Sequence, residues 1–379
     1  MDGKKLDKDS MRCIISTDQL KIPEKDYIQY PLIDMLLNHF QKVERHQTVT
    51  MNKKVYSKND MKLLLKKIYF ISNDVLSFIN ERKTIDCTEI KNKDYCLHVY
   101  RFDNEEVDLQ FIIYLIESIK QLSKRKKPFM IYLFLTPLKK VLPKNNVFQP
   151  ENINSGVTMD NIIVIWRKEE IFKVLIHELI HFFQLDFSEL IYSKNKEYQV
   201  NMIEKNKLLK TLRLFKTDGL TINEAYTETI ATIINVIVVA LEIKRLDLIN
   251  FFLNTEMKFT LIQVAKILSH IGMKSIKCLI DKDMTPCKSE PLIEKTRVFS
   301  YFFVKSLMLY FPDDFFKLFF RDTDFKEFTE FIDVILKDLH QPEYIEIVDN
   351  TIDIYKNELS FNDNFFSKTT RMTAVSLSI

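Results

Sequence analysis

Glycine and proline are scarce in this 379-residue chain, at 4 and 10 residues. So few glycines leave no glycine-rich loop to cradle a phosphate, and so few prolines leave no extended linker. The 5 cysteines (Cys13, Cys87, Cys96, Cys278 and Cys287) are odd in number and show no paired spacing. Neither a disulfide framework nor a zinc knuckle is therefore expected. There is no Asn-x-Ser/Thr sequon, and the opening M-D-G-K-K-L-D-K-D-S has no apolar stretch of the kind a secretory leader carries. The longest apolar run, Ile230 to Leu241, is too short to cross a bilayer. A net charge of +3 is too near neutral to imply a polyanionic partner. These absences argue against nucleic acid and membrane as partners and for a reducing, cytoplasmic setting.

What is present suffices for a large core: 46% hydrophobic and 12% aromatic residues. The expected fold is α+β and mostly α. Residues 1–94 read as a mainly helical region, with one helix from Pro31 to about Val43 and another from Asn59-Asp60 to about Arg82. Residues 95–187 read as a small α/β lobe: a strand over 95–102, a helix from Glu106 to about Ser123, and strands at 129–135 and 162–166. A helix follows from about Lys168. The basic run Lys124-Arg125-Lys126-Lys127 falls where the 106–123 helix should end, which suits the helix dipole. Residues 188–360 read as a helical lobe, with helices near 188–215, 222–244, 246–254, 258–281, 294–311 and 325–338. Residues 361–379 lack periodicity and read as a flexible tail.

Histidine is also rare, with 7 in the chain, yet two stand four apart in Ile176-His177-Glu178-Leu179-Ile180-His181. On a helix, positions i and i+4 share a face, so both imidazoles can reach one metal ion. Glu178 lies about 100° around the axis, placed to act on a water molecule. The flanks, I-F-K-V-L before and F-F-Q-L after, are apolar on nearly every side, as in a buried helix. Burying three polar side chains costs several kcal/mol unless they are paired or metal-bound.

A catalytic zinc takes three protein ligands and keeps one position open. No histidine follows within ten residues of His181. The next acidic candidates lie in Gly219-Leu220-Thr221-Ile222-Asn223-Glu224-Ala225-Tyr226-Thr227-Glu228, which opens another apolar helix. Glu224 and Glu228 share a face and repel unless something positive sits beside them.

H-E-x-x-H followed by N-E-A-x-x-E resembles the gluzincin clan of zinc metallopeptidases, which includes the thermolysin-like enzymes. The resemblance covers roughly residues 160 to 235. It implies a zincin-like α/β lobe whose active-site helix packs against a helical C-terminal lobe. It also implies Zn2+ held by His177, His181 and Glu224, Glu178 as general base, and Glu228 orienting a ligand histidine. Strand 162–166 resembles the edge strand on which such enzymes lay out an extended substrate. The interval from His181 to Glu224 is about twice that of thermolysin-like enzymes, and the acid at 228 is Glu where the closest pattern has Asp. Tyr226, His270, Arg297 and Tyr301 are candidates for the group that stabilises the oxyanion, and no spacing rule separates them. The wealth of Lys, Ile, Asn, Phe and Tyr resembles the output of an AT-rich genome, as in large DNA viruses and some protists; a viral source would place the protein in host cytoplasm or a virion.

The expected activity is zinc-dependent hydrolysis of peptide bonds in a peptide or protein substrate. Two alternatives stay open: a catalytically silent scaffold on the same fold, and a carboxypeptidase of narrow specificity. An intact Glu178 argues against the first, because a purely structural zinc needs no base.

Overall fold

The computed structural model describes residues 4–46, 48–66, 71–102, 107–191, 196–281, 287, 289–321, 323–360 and 364–378. Its composition is α+β and mostly helical, with 55% helix against 14% strand. The chain forms two compact units, neither contiguous in sequence. A sheet unit takes His39–Lys140 and Asn154–Leu185; a helical unit takes Met1–Asn38, Val141–Ile153 and Asp186–Ser378.

The sheet unit runs β1 (Thr50–Ser57), α1 (Lys58–Leu65), α2 (Asn73–Asn80), β2 (Thr84–Lys91), β3 (Tyr95–Arg101), α3 (Leu109–Gln121), β4 (Phe129–Leu135), β5 (Gly156–Met159), β6 (Ile162–Ile165) and α4 (Ile171–Phe182). Its six strands lie in the order β1-β2-β3-β4-β6-β5. The central strands β3, β4 and β6 are mutually parallel, and β1, β2 and β5 extend the sheet antiparallel at its two sides. Parallel central strands buried on both faces read as continuous apolar runs, as in F-M-I-Y-L-F-L and I-I-V-I. Helix α3 supplies the crossover between β3 and β4; the Asp108 carboxylate caps its start, accepting from the Phe111 amide at 2.9 Å.

The two faces of the sheet carry different chemistry. Phe129, Ile131 and Leu133 alternate onto the face that meets α4, where the Phe129 and Phe182 ring centroids are 4.4 Å apart. Tyr100, Tyr132, Phe134, Val164 and Trp166 alternate onto the other face and pack with Met61, Leu65, Val75 and Ile79 of α1 and α2.

Among the described residues of 1–94 helix outweighs strand, but the sheet also begins there, with β1 and β2 at 50–57 and 84–91. β1 reads T-M-N-K-K-V-Y-S with mostly exposed side chains, so it has no apolar alternation to announce it. Two other expectations for this region need correction. Strand 162–165 is not the edge: it lies between β4 and β5, and β5 is the outer strand. The basic run 124–127 does not close the preceding helix, which ends at Gln121. The first residue expected of that helix, Glu106, lies outside the described residues.

In the helical unit, α5 (Asn223–Glu242) and α6 (Ile249–His270) are long helices, mostly buried. α5 is long and apolar enough to cross a membrane, and 94% of that stretch is buried within the fold. Expected helices at 246–254 and 258–281 are largely one, α6. A small parallel sheet joins Val147–Phe148, Leu292–Glu294 and Phe215–Thr217.

The terminal segment also departs from expectation. Residues 369–377 are buried rather than forming a flexible tail. The buried Glu256 carboxylate of α6 accepts from the Ala374 and Val375 amides at 2.9 Å and from the Thr373 hydroxyl. Arg371 pairs with Asp7 at 3.3 Å, and Leu6 bridges Leu377. Polar backbone buried in this way needs such partners, which periodicity cannot reveal. Residues 361–363 and 379 lie outside the description. Cys278 and Cys287 form a disulfide, against the expectation of none. Disulfides belong to oxidising surroundings, so the cysteines do not point to a reducing setting.

Candidate functional site

Helix α4 carries His177, Glu178 and His181, and each of its twelve residues is buried. The helix starts abruptly at Glu170, whose backbone is left-handed (φ 58°). A non-glycine residue persists there when its surroundings over-determine it. Here the buried Glu170 carboxylate pairs with buried Lys140 Nζ at 2.6 Å, and Glu169 accepts from the Lys140 amide at 3.0 Å. The far end is closed by the basic run. Arg125 donates to the Phe182 carbonyl and lies 4.6 Å from the Phe182 ring, while Ser123 donates to the Phe183 carbonyl at 2.8 Å. A cation at a helix C-terminus satisfies last-turn carbonyls and suits the dipole.

Between these ends the imidazoles meet as the i, i+4 spacing requires. His177 Nε2 and His181 Nε2 are 3.0 Å apart, with ring planes at 81°. The two residues are only 6% and 8% exposed. Two nitrogens this close can both lie within the usual bonding distance of about 2.0–2.1 Å from one zinc ion.

Glu178 is 5% exposed and lies beneath β5. The Thr158 hydroxyl donates to Glu178 Oε2 at 2.7 Å and lies 3.0 Å from its carbonyl oxygen. Gly156 passes so close that a Cβ there would lie 2.7 Å from Glu178 Oε1 and 3.0 Å from both Glu178 Cγ and Val174 Cγ1. The outer strand thus reaches Glu178 because residue 156 has no side chain. Sequence reasoning missed both residues; the scarcity of glycine was the available signal.

The N-E-A-x-x-E segment opens α5 in the helical unit. Asn223 is a tether: its Oδ1 accepts from the Phe187 amide at 2.9 Å, and its Nδ2 donates to Asp186 at 3.1 Å. Thr227 donates to the same Asp186 oxygen at 2.5 Å. The Glu204 carboxylate closes the helix start, accepting from the Ile222 and Thr221 amides at 2.7 and 3.2 Å. Burial pushes the Glu204 carboxyl above the usual range, against the pull of those amides.

Glu224 and Glu228 meet a matching pair on the helical run Phe299–Tyr310. Tyr301 donates to Glu224 Oε2 at 2.9 Å, and Lys305 Nζ lies 3.2 Å from Glu228 Oε1. Both contacts span 77 residues, so the two helices run parallel here. Lys305 and Glu228 are fully buried, and Lys305 also donates to the Met372 carbonyl. The like charges four apart are therefore relieved at Glu228 by a lysine that spacing did not disclose.

The four oxyanion candidates now separate. Tyr226 accepts from the Phe320 amide at 2.9 Å, Arg297 donates to the Gly219 carbonyl at 2.8 Å, and His270 Nε2 lies 2.9 Å from the Asn145 carbonyl. Of the four, Tyr301 alone is hydrogen-bonded to a predicted metal ligand.

Comparison with protein-family models, with curated proteins and with solved structures finds no match to this chain.

Proposed function

We propose that the chain is a zinc-dependent peptidase of gluzincin type, with His177, His181 and Glu224 as metal ligands. The observation that carries this reading is the pair of buried imidazole nitrogens 3.0 Å apart on α4, with Glu178 of the same helix held by Thr158 of β5. The donor set supports it: each of the three residues offers one ligand atom and all three are buried. Two imidazoles and one carboxylate are the ligand chemistry of catalytic zinc, whereas structural zinc usually closes four positions, often with thiolates. The metal would polarise the scissile carbonyl and acidify water. Glu178 would take a proton from the attacking water and return it to the leaving amine. Thr158 fixes the plane of the Glu178 carboxylate, which such a transfer requires. On this reading the lobe is zincin-like, and β5 is the antiparallel edge along which an extended peptide would add as a further strand. Tyr301 would hold Glu224 in its ligand orientation, as hydrogen-bonded carboxylate ligands usually are.

The test is metal analysis of purified protein paired with cleavage of an unbiased peptide library. Glu178→Gln should keep stoichiometric zinc and lose hydrolysis, and Glu224→Ala should lose zinc. Protein without metal would sink the site; zinc without cleavage of any peptide would favour the silent scaffold.

A further inference from the structure

The sheet unit holds another group of metal-binding side chains, on the face turned away from α4. Cys96 and His98 are two apart on β3, so both point to one face, and Glu89 on β2 is registered opposite His98. His98 is registered in turn with Tyr132 of β4, which places the group on the Tyr132–Trp166 face. Cys96 Sγ lies 3.3 Å from His98 Nε2, and His98 Nδ1 lies 3.8 Å from Glu89 Oε2. One ligand atom from each of the three falls within 4.8 Å of the others.

We propose that Glu89, Cys96 and His98 form a further cation site, taking a thiophilic divalent ion of the zinc class, independent of the α4 histidines. Thiolate, imidazole and carboxylate together suit zinc rather than magnesium or calcium, which prefer oxygen alone. The imidazole is already oriented: the Tyr132 ring stacks on it at 5.0 Å and 14°. His98 Nδ1 is buried and has no hydrogen-bond partner among the described residues. Such an atom costs free energy unless a ligand or small rearrangement recruits it.

A cysteine nucleophile activated by histidine and glutamate is a poorer reading of the same atoms. The 3.8 Å gap is too long for Glu89 to orient the imidazole. Glu89 is instead held by Lys54 at 2.9 Å and Lys91 at 3.0 Å. Those lysine side chains are 47% and 57% exposed. The Glu89 carboxylate itself is buried, but each lysine ammonium can return to solvent when a divalent ion takes its place. Cys96 and His98 are partly exposed, so an ion in solution reaches them.

The probe is cobalt(II) added to the metal-free full-length protein without reductant, which keeps the Cys278–Cys287 disulfide closed. The expected result is a sulfur-to-cobalt charge-transfer band that is lost in Cys96→Ser and His98→Ala and kept in Cys87→Ala. The His177, His181 and Glu224 set contains no sulfur, so this band is blind to the peptidase reading. In the wild-type protein, zinc should slow iodoacetamide alkylation of Cys96, mapped by mass spectrometry, by about tenfold or more, because a metal-bound thiolate is withdrawn from reaction. A missing band, a band that survives Cys96→Ser, or an alkylation rate unmoved by zinc would overturn the proposal.

Discussion

Replacing Gly156 with alanine tests whether the approach of β5 to Glu178 is what demands glycine. The added Cβ would lie 2.7 Å from Glu178 Oε1 and 3.0 Å from Glu178 Cγ and Val174 Cγ1. Ordinary contacts begin at 3.4 Å, so the shortfalls are 0.7 Å (3.4 − 2.7) and 0.4 Å (3.4 − 3.0). The Glu178 carboxylate ends a side chain with several torsions and can yield; Cγ and Val174 are held by the helix. Over-packing of this size costs about 1–3 kcal/mol, and we expect about 2 kcal/mol. The readout is urea denaturation followed by fluorescence. Trp166 is the one tryptophan and is buried in the sheet unit, so its signal reports the unit that carries the change. In a Glu178→Ala background two of the three contacts vanish, and the cost of Gly156→Ala should fall by about 1 kcal/mol. A Gly156→Ala cost below about 0.3 kcal/mol, or one that does not change in that background, would refute the reasoning. If the proposed activity holds, hydrolysis should fall further than stability, since a 1 Å displacement of a catalytic group costs about 100-fold.

Two further outcomes follow from the helical unit. Lys305→Met should destabilise it by about 3–5 kcal/mol, because Glu228 would be left as a buried charge without its lysine; adding Glu228→Gln should restore much of this, and far-UV circular dichroism during urea denaturation would show no recovery if the pair were immaterial. Burial raises the Glu294 carboxyl to about 7 from 4.5, so between those values the folded state holds a proton that the unfolded state has lost. Its contribution is complete below pH 4.5 and lost as pH rises through about 7, a change of about 3 kcal/mol. Glu294→Gln should remove this slope, and a wild-type-minus-variant stability difference that is flat with pH would count against it.

The sequence was most legible where chemistry and periodicity coincide. His177, Glu178 and His181 stand on a helix whose apolar flanks foretold its burial, and Asn223, Glu224 and Glu228 stand on the helix expected for them. Less was legible where a residue acts through something remote in sequence. Lys305 is 77 residues from Glu228, and Gly156 and Thr158 matter only because β5 crosses α4. β1 was hidden by its exposed polar side chains, and the segment 369–377 by burial that rests on hydrogen bonds to Glu256. The Cys278–Cys287 pair closes on a separation of 9 residues, which as a spacing carries no distinctive signature.

The chain visits the helical unit three times and the sheet unit twice. A ribosome delivers residues in order, so the sheet unit is fully available once residue 185 has emerged. The helical unit is not: Asp7 must wait for Arg371, and Leu6 for Leu377. Leu6 and Asp7 therefore remain without these partners until residues 371–377 have emerged, a setting in which exposed apolar surface invites chaperones. No single proteolytic cut or gene truncation can release the helical unit intact, and a permuted chain joining residue 378 to residue 4 should shorten that wait.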